Sequence, residues 1–201
     1  MIARSLAVLS TLAFGASASA AVVTFDTAAS PVGTVYESPG TPPGSVAFTE
    51  DGIVMRTANF TSGGGAFVGY NFANIEAVGT NAFAINNIQF RADFTGLSFL
   101  VTEASFDWAD FGGSENLGVN GVYVELGNLD LAPAVINGVN VVVNVTGPGN
   151  RGTVTFTSLA GINNIIFGGQ EFAVDNVRAV PAPGALALLG LGGLLAARRK
   201  R

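Results

Sequence analysis

Histidine and cysteine are both missing from this chain of 201 residues. Without histidine there is no ordinary general base at neutral pH, no usual zinc or copper ligand, and no Ser-His or Cys-His nucleophile pair. Most hydrolase chemistry is thereby excluded, and carboxylate-only mechanisms remain. Without cysteine there is no disulfide, so stability must come from packing or a bound metal. Lysine is absent until Lys200. Between residues 21 and 179 the only cations are Arg56, Arg91, Arg151 and Arg178, against all fourteen acids of the chain, a net charge of about −10. Such a surface repels nucleic acid, whose binders carry basic patches, and it suits cations instead.

Helical patterning is also scarce. No stretch of the middle region keeps a 3.6-residue apolar period over three turns. Short apolar runs punctuated by Gly, Asn and Asp take its place, which is the signature of strands and tight turns. The expected strands are 22–25, 46–49, 53–57, 83–85, 88–94, 97–102, 104–108, 117–119, 122–126, 139–145, 152–157, 162–167 and 172–177. Residues 30–45, with four prolines, read as a loop, and so does Ser62–Gly65. Asp51-Gly52 and Asn120-Gly121 carry hairpin chemistry, Asn86-Asn87 and Gly112-Gly113 also mark turns, and Gly147-Pro148-Gly149-Asn150 joins two strands. Thr153–Thr157 alternates and should have one wet face, whereas Val141-Val142-Val143 reads as buried on both. Many strands at short spacing predict an all-β fold, an antiparallel β-sandwich that is jelly-roll-like. About 160 residues are enough for one such domain with a core of its own.

The two ends differ from the middle. Arg4 followed by the apolar run Leu6–Phe14 and by Ala18-Ser19-Ala20 has the three-part layout of a secretory signal peptide, cleaved after Ala20. At the other end Val180-Pro181-Ala182-Pro183-Gly184 should break regular structure. An uncharged run to Ala197 and the cluster Arg198-Arg199-Lys200-Arg201 follow. As a helix, this run would span about 21 Å, short of a hydrocarbon core of roughly 30 Å. That length suits a temporary stop during export better than a permanent span. The expected domains are therefore 1–20 signal peptide, 21–179 β-sandwich and 180–201 sorting or anchor segment. Sec-type export machinery is the partner of the first segment.

The proline box, short apolar helix and terminal basic cluster of Val180–Arg201 resemble the PEP-CTERM sorting signal. The resemblance implies an exosortase-like membrane enzyme as a partner, cleavage near the box, and release or attachment at the cell surface of a Gram-negative bacterium that makes exopolysaccharide. Ala182 stands where that family usually has Glu between the prolines, so the chain resembles a variant class.

Two groups of acids could carry chemistry. Asp107, Asp110, Glu115 and Asn116 in FDWADFGGSEN offer the hard oxygens and glycine-exposed carbonyls that calcium takes, without EF-hand spacing. The alternative is a turn with solvated acids. Asp26, Glu171, Asp175 and Asn176 lie at the first and last strands. The pieces TFD and FAVDNV resemble the paired terminal strands of jelly-roll carbohydrate-binding modules, which implies a structural calcium there. Solvated strand-end acids are the alternative. Trp108, Tyr70, Tyr123 and Tyr36 could stack on sugar, although Trp108 shares a strand face with Phe106, which points to core. Asp107 and Glu115 would make a glycosidase pair only if 5–10 Å apart in a cleft. Ser62-Gly63-Gly64-Gly65 lacks the Lys-Ser/Thr of a phosphate loop. The sequons at Asn59 and Asn144 are uninformative in a bacterial chain. Two functions follow as expectations: a non-enzymatic structural or adhesive protein of the envelope or extracellular matrix, and a calcium-stabilised carbohydrate-binding module acting on exopolysaccharide.

Overall fold

A computed structural model describes residues 19–37, 41–58, 60, 68–73, 81–146 and 150–182, with the backbone alone for 68–73. The segments 1–18 and 183–201 lie outside the described residues, and with them most of the expected signal peptide and sorting tail. So do the Ser62–Gly65 loop and Gly147-Pro148-Gly149. Residues Ser19–Ala182 form one compact unit.

The described chain forms strands β1 (Ala21–Val23), β2 (Val35–Glu37), β3 (Val46–Glu50), β4 (Ile53–Ala58), β5 (Val68–Ala73), β6 (Asn81–Asn86), β7 (Ile88–Asp93), β8 (Val101–Asp110), β9 (Glu115–Val119), β10 (Val122–Leu126), β11 (Val135–Ile136), β12 (Val139–Val145), β13 (Arg151–Thr157), β14 (Asn164–Gly169) and β15 (Phe172–Pro181), with a single 3₁₀ turn at Leu129–Leu131. They make two antiparallel sheets. One runs β11-β12-β13-β8-β15-β6-β5-β2, with β1 also on β15; the other runs β10-β9-β14-β7-β4-β3. The expected all-β class is thus present. Among the described residues no helix is long and apolar enough to cross a membrane.

Strand alternation builds the core. Phe106 and Trp108 of β8, Val154 and Phe156 of β13, and Val174 of β15 are fully buried on one sheet, as are Phe90, Leu117, Val119, Ile165 and Phe167 on the other. Rings meet between the sheets: Phe83 packs edge-on against Phe90 at 4.6 Å, and Phe106 lies 5.1 Å from Phe167. Such pairs add about 0.5–1.5 kcal/mol each beyond the area they bury. The Thr153–Thr157 alternation is as expected, with Val154 and Phe156 buried and the threonines half-buried.

Both expected hairpin turns have the left-handed pair of residues that a type I′ turn demands: φ is 47° and 81° at Asp51-Gly52, and 51° and 81° at Asn120-Gly121. Asn137-Gly138, between β11 and β12, does the same with 50° and 75°. By contrast, Asn87 and Gly112-Gly113 do not close hairpins. They carry the chain from one sheet to the other, as does Gln170-Glu171. These three crossings bind one another: Asn87 N–H donates to Gly169 O, Gln170 N–H to Ser114 O, and Phe111 N–H to Glu171 O, at 2.8, 3.0 and 2.8 Å.

Several expectations are corrected. The proline-rich 30–45 segment contains β2, because Tyr36 has an apolar ring to bury against Phe48, Phe83 and Phe90. Strands β5 and β11 were not expected. Residues 97–102 and 104–108 are not two strands; a turn at 95–99 precedes the single long β8. Val142 is 61% exposed, since its face of β12 looks to water. Val180 and Pro181 do not break the structure. They end β15, paired with β8, and Ala182 N–H donates to Leu100 O at 3.0 Å. Proline is tolerated at a strand end because little pairing lies beyond it. The folded unit therefore reaches three residues past the expected boundary at 179.

Candidate functional site: an outer-face groove and two carboxylate clusters

The expected acid groups are redistributed by strand register. On β8 alternation sends Asp107 to the outer face and Asp110 inward, and on β9 it buries Glu115 inward and turns Asn116 outward. Asp107 and Asn116 thus go to the outer faces of different sheets, while Asp110 and Glu115 both turn inward. The proposed Asp107–Glu115 glycosidase pair is not formed, because the two stand on opposite sheets, with Glu115 out of solvent.

Asp107 instead joins the terminal-strand group. It faces Asp175 across the β8–β15 ladder. A bulge follows Asp175, where Asn176 takes φ 51°, a conformation that asparagine tolerates. The bulge swings Asn176 Nδ2 onto Asp107 Oδ2 at 2.9 Å, while Thr153 Oγ1 donates to Asp107 Oδ1 at 2.8 Å. Asn176 N–H donates to Asp175 Oδ1 at 2.7 Å, and Asn81 Nδ2 to Asp26 Oδ1 at 2.6 Å. Burial pushes the Asp175 carboxyl up to about 7. The Asn176 N–H works against this, and the charges of Asp26 and Asp107 add to it. Glu171 does not belong to this group, contrary to expectation. It sits four residues earlier, about 13 Å along an extended chain, at the sheet crossing with φ 53°. Among the described residues no three acids are placed to hold a metal ion.

Asp110 and Glu115 make the second cluster, beside the sheet crossings. Glu115 is fully buried and neither oxygen meets a donor. Its neighbour is the Asp110 carboxyl, and two carboxyls can share a hydrogen bond only when one holds a proton. Burial first, then the Asp110 charge and hydrogen bond and the Asp130 charge, push Glu115 up to about 8.

The aromatic candidates separate. Trp108 is fully buried and faces the core, so it is no sugar platform; the neighbouring Phe106 had already suggested as much. Tyr36 is buried too. The Tyr70 side chain lies outside the described residues. Tyr123 is 37% exposed and lines a groove of about 380 Å³ on the outer face of the six-stranded sheet. Tyr123 of β10, Ile166 of β14 and Arg91 of β7, which line it, share one register row with Gly118 of β9 between them and with Arg56 of β4 beyond the groove. Gly118 is required beneath the tyrosine, because a Cβ there would come within 2.5 Å of Tyr123 Cβ and Val122 O. Gln89, Thr57, Pro43 and Gly44 complete the walls. Gln89 Oε1 accepts from Asn116 Nδ2 at 2.7 Å, both side chains being buried. Arg56 Nε donates to Asp93 Oδ2 at 3.3 Å, and Arg91 Nη2 reaches the same oxygen only at 4.0 Å. Burial would raise the Asp93 carboxyl, but hydrogen bonds from Thr95 and Arg56 and the Arg91 charge hold it below the usual range. Arg91 Nε is buried without a partner. The sequence reading missed Arg91, Arg56 and Gln89. Their only signal was the shortage of cations, which makes any adjacent pair of arginines notable.

No protein-family model matches the chain, and no curated protein does. A solved structure that it matches is the crystal structure of the K2 cleaved adhesin domain of Lys-gingipain (Kgp), at 14% identity and a TM-score of 0.36, over 81% of this chain and 98% of that domain. A similarity of this size transfers no function, and the reading below stands on this chain's own residues.

Proposed function

We propose that this is an exported, non-enzymatic β-sandwich protein, jelly-roll-like in architecture, that serves a structural or adhesive role at the cell surface or in the extracellular matrix. One observation carries the reading: the compact unit runs from Ser19 to Ala182, the segment left between the two expected processing points. Strand β1 begins at Ala21, the expected mature N-terminus, and pairs directly with Ala179 on β15. Removal of both ends would leave the sheets intact. Among the described residues the groove lining contains no carboxylate, and the Asp110–Glu115 pair is buried.

The test is the intact mass of the protein recovered from each fraction of its native host. A chain running from Ala21 to Pro183 or just beyond, found outside the inner membrane, is the expected result. A cut before Ala182 is not expected, because it would remove the last bond of β15 to Leu100. A chain that still ends at Arg201 and stays in the inner-membrane fraction would overturn the sorting by a PEP-CTERM-like tail.

A further inference from the structure

We propose that the outer-face groove of the six-stranded sheet binds an acidic polysaccharide, with Arg91 taking the uronate carboxylate and Tyr123 the apolar face of a neighbouring sugar ring. This rests on the matrix-contact reading above and names its ligand class. The groove is built in register. Tyr123 and Arg91 lie on the same row three strands apart, about 14 Å at the usual strand spacing. That distance suits a short run of sugar rings rather than a single one. Between them Gly118 and Ile166 form a low floor, and Gln89 offers a polar side chain along one wall.

The charge distribution selects the ligand. Among the described residues Arg91 is the one charged side chain that lines the groove; the domain's fourteen acids against four arginines repel a polyanion at long range, so recognition falls on the single uronate that Arg91 meets. Its nearest acid, Asp93, is engaged by Arg56 Nε and by Thr95, whose N–H and Oγ1 both donate to Asp93 Oδ1. Arg91 makes only the 4.0 Å approach to that carboxylate and keeps a side chain 39% exposed; its Nε is buried, so a ligand approaches the two terminal nitrogens. An under-partnered guanidinium beside an open groove is suited to a planar carboxylate, which takes two parallel N–H bonds. The aromatic ring at the other end contributes stacking without regard to charge.

The experiment is calorimetric titration of the full-length chain in mild detergent. One probe is an oligogalacturonate of four to six residues; the other is the same oligosaccharide with its carboxyls reduced to alcohols. The acidic form should bind about tenfold more tightly, the worth of one charge-assisted hydrogen-bonded contact. Arg91→Gln should bring the two affinities together, while Tyr123→Ala should weaken both alike. If Arg91→Gln lowers the melting temperature, Arg91→Lys is read in its place. It keeps the charge, loses the fork, and should retain only part of the discrimination. Equal binding of the two forms, or discrimination that survives Arg91→Gln, would overturn the acidic ligand and leave the adhesive reading standing. No binding of either form by a folded chain would overturn the groove as a saccharide site, without touching the mass result that tests sorting.

Discussion

The two sheets share one core but present unlike outer faces. On the nine-stranded sheet, Asp107 and Asp175 stand side by side, and neutral donors from Thr153 and Asn176 satisfy them. On the six-stranded sheet, Arg91 and Arg56 stand side by side with one carboxylate between them, and that carboxylate serves mainly Arg56. Both pairs arise from the same rule, that register partners on adjacent strands share a face. What differs is the degree of satisfaction. Both acids have donors within the protein, and burial raises the Asp175 carboxyl. One arginine is left short of acceptors beside an open groove. The nine-stranded sheet also carries an unpartnered arginine nitrogen, the buried Nε of Arg151; what sets the six-stranded face apart is that its under-partnered arginine stands beside a groove.

The two aromatic candidates break this comparison most strongly. Trp108→Ala empties a fully buried site on the inner face and should cost about 3–5 kcal/mol, lowering the melting temperature by roughly 10 °C. Tyr123→Ala, on the half-exposed rim of the groove, should leave melting within about 2 °C while reducing saccharide retention. Thermal melts and affinity electrophoresis of both variants decide the matter. If Trp108→Ala melts like the parent, or if Tyr123→Ala is the more damaging to stability, the assignment of inner and outer faces is wrong.

Much of the architecture was legible because it depends on local patterns. Asp-Gly and Asn-Gly pairs imposed their turns, and Thr153–Thr157 declared its wet and dry faces. The failures concern residues whose fate is decided by strands distant in sequence. Val142 looked buried in an unbroken valine run, but its outer face has nothing packed over it. Asn87 and Gly112-Gly113 carry turn chemistry, yet they move the chain between sheets, and no local signal separates that from a hairpin. The candidate sites fared as such non-local features should. The first and last strands do pair, and the Asp26 charge is felt at Asp175. Asp107 was placed with its sequence neighbours because the β8–β15 register and the bulge at Asn176 were not visible. The groove depends on four strand pairings at once, so only Tyr123 of its members was foreseen.

The acid side of the comparison is sharpened by pH. Glu115 and Asp175 both hold a proton more tightly in the folded chain than they would unfolded, with values of about 8 and 7. Below about pH 4 both states are protonated and the groups have no effect. As pH rises from there, the unfolded chain gives up its protons while the folded chain keeps them, so stability declines until the folded groups also ionise. Asp93 acts in the opposite sense, since its lowered value adds stability that is lost only as pH falls into the acid range. The expected profile therefore peaks near pH 4–5 and declines toward pH 8, by roughly 5–10 °C in melting temperature. Glu115→Gln should remove much of the decline, and a profile that rises toward pH 8 would show that these carboxyls are paired with cations after all.

The smallest effect expected is that of calcium. The oxygens of Asp107 already accept from Thr153 and Asn176, Asp26 accepts from Asn81, and Asp175 from the Asn176 backbone. A cation seated among them would have to displace these donors, and Glu171, the fourth expected ligand, is on the far side of a sheet crossing. Millimolar calcium or a chelator should therefore move the melting temperature by less than about 1 °C, whereas saturating a site specific to the folded chain at a hundred times its dissociation constant would add about 2.7 kcal/mol. The pH profile supplies a second readout. A bound cation would favour the ionised form of Asp175 and remove that group's share of the decline above pH 4, while the Glu115 share, which runs up to about pH 8, stays in place. A calcium-dependent rise that is absent below about pH 4, grows with pH and survives Glu115→Gln would locate the ion at Asp26, Asp107 and Asp175, and would make this the second binding face of the domain.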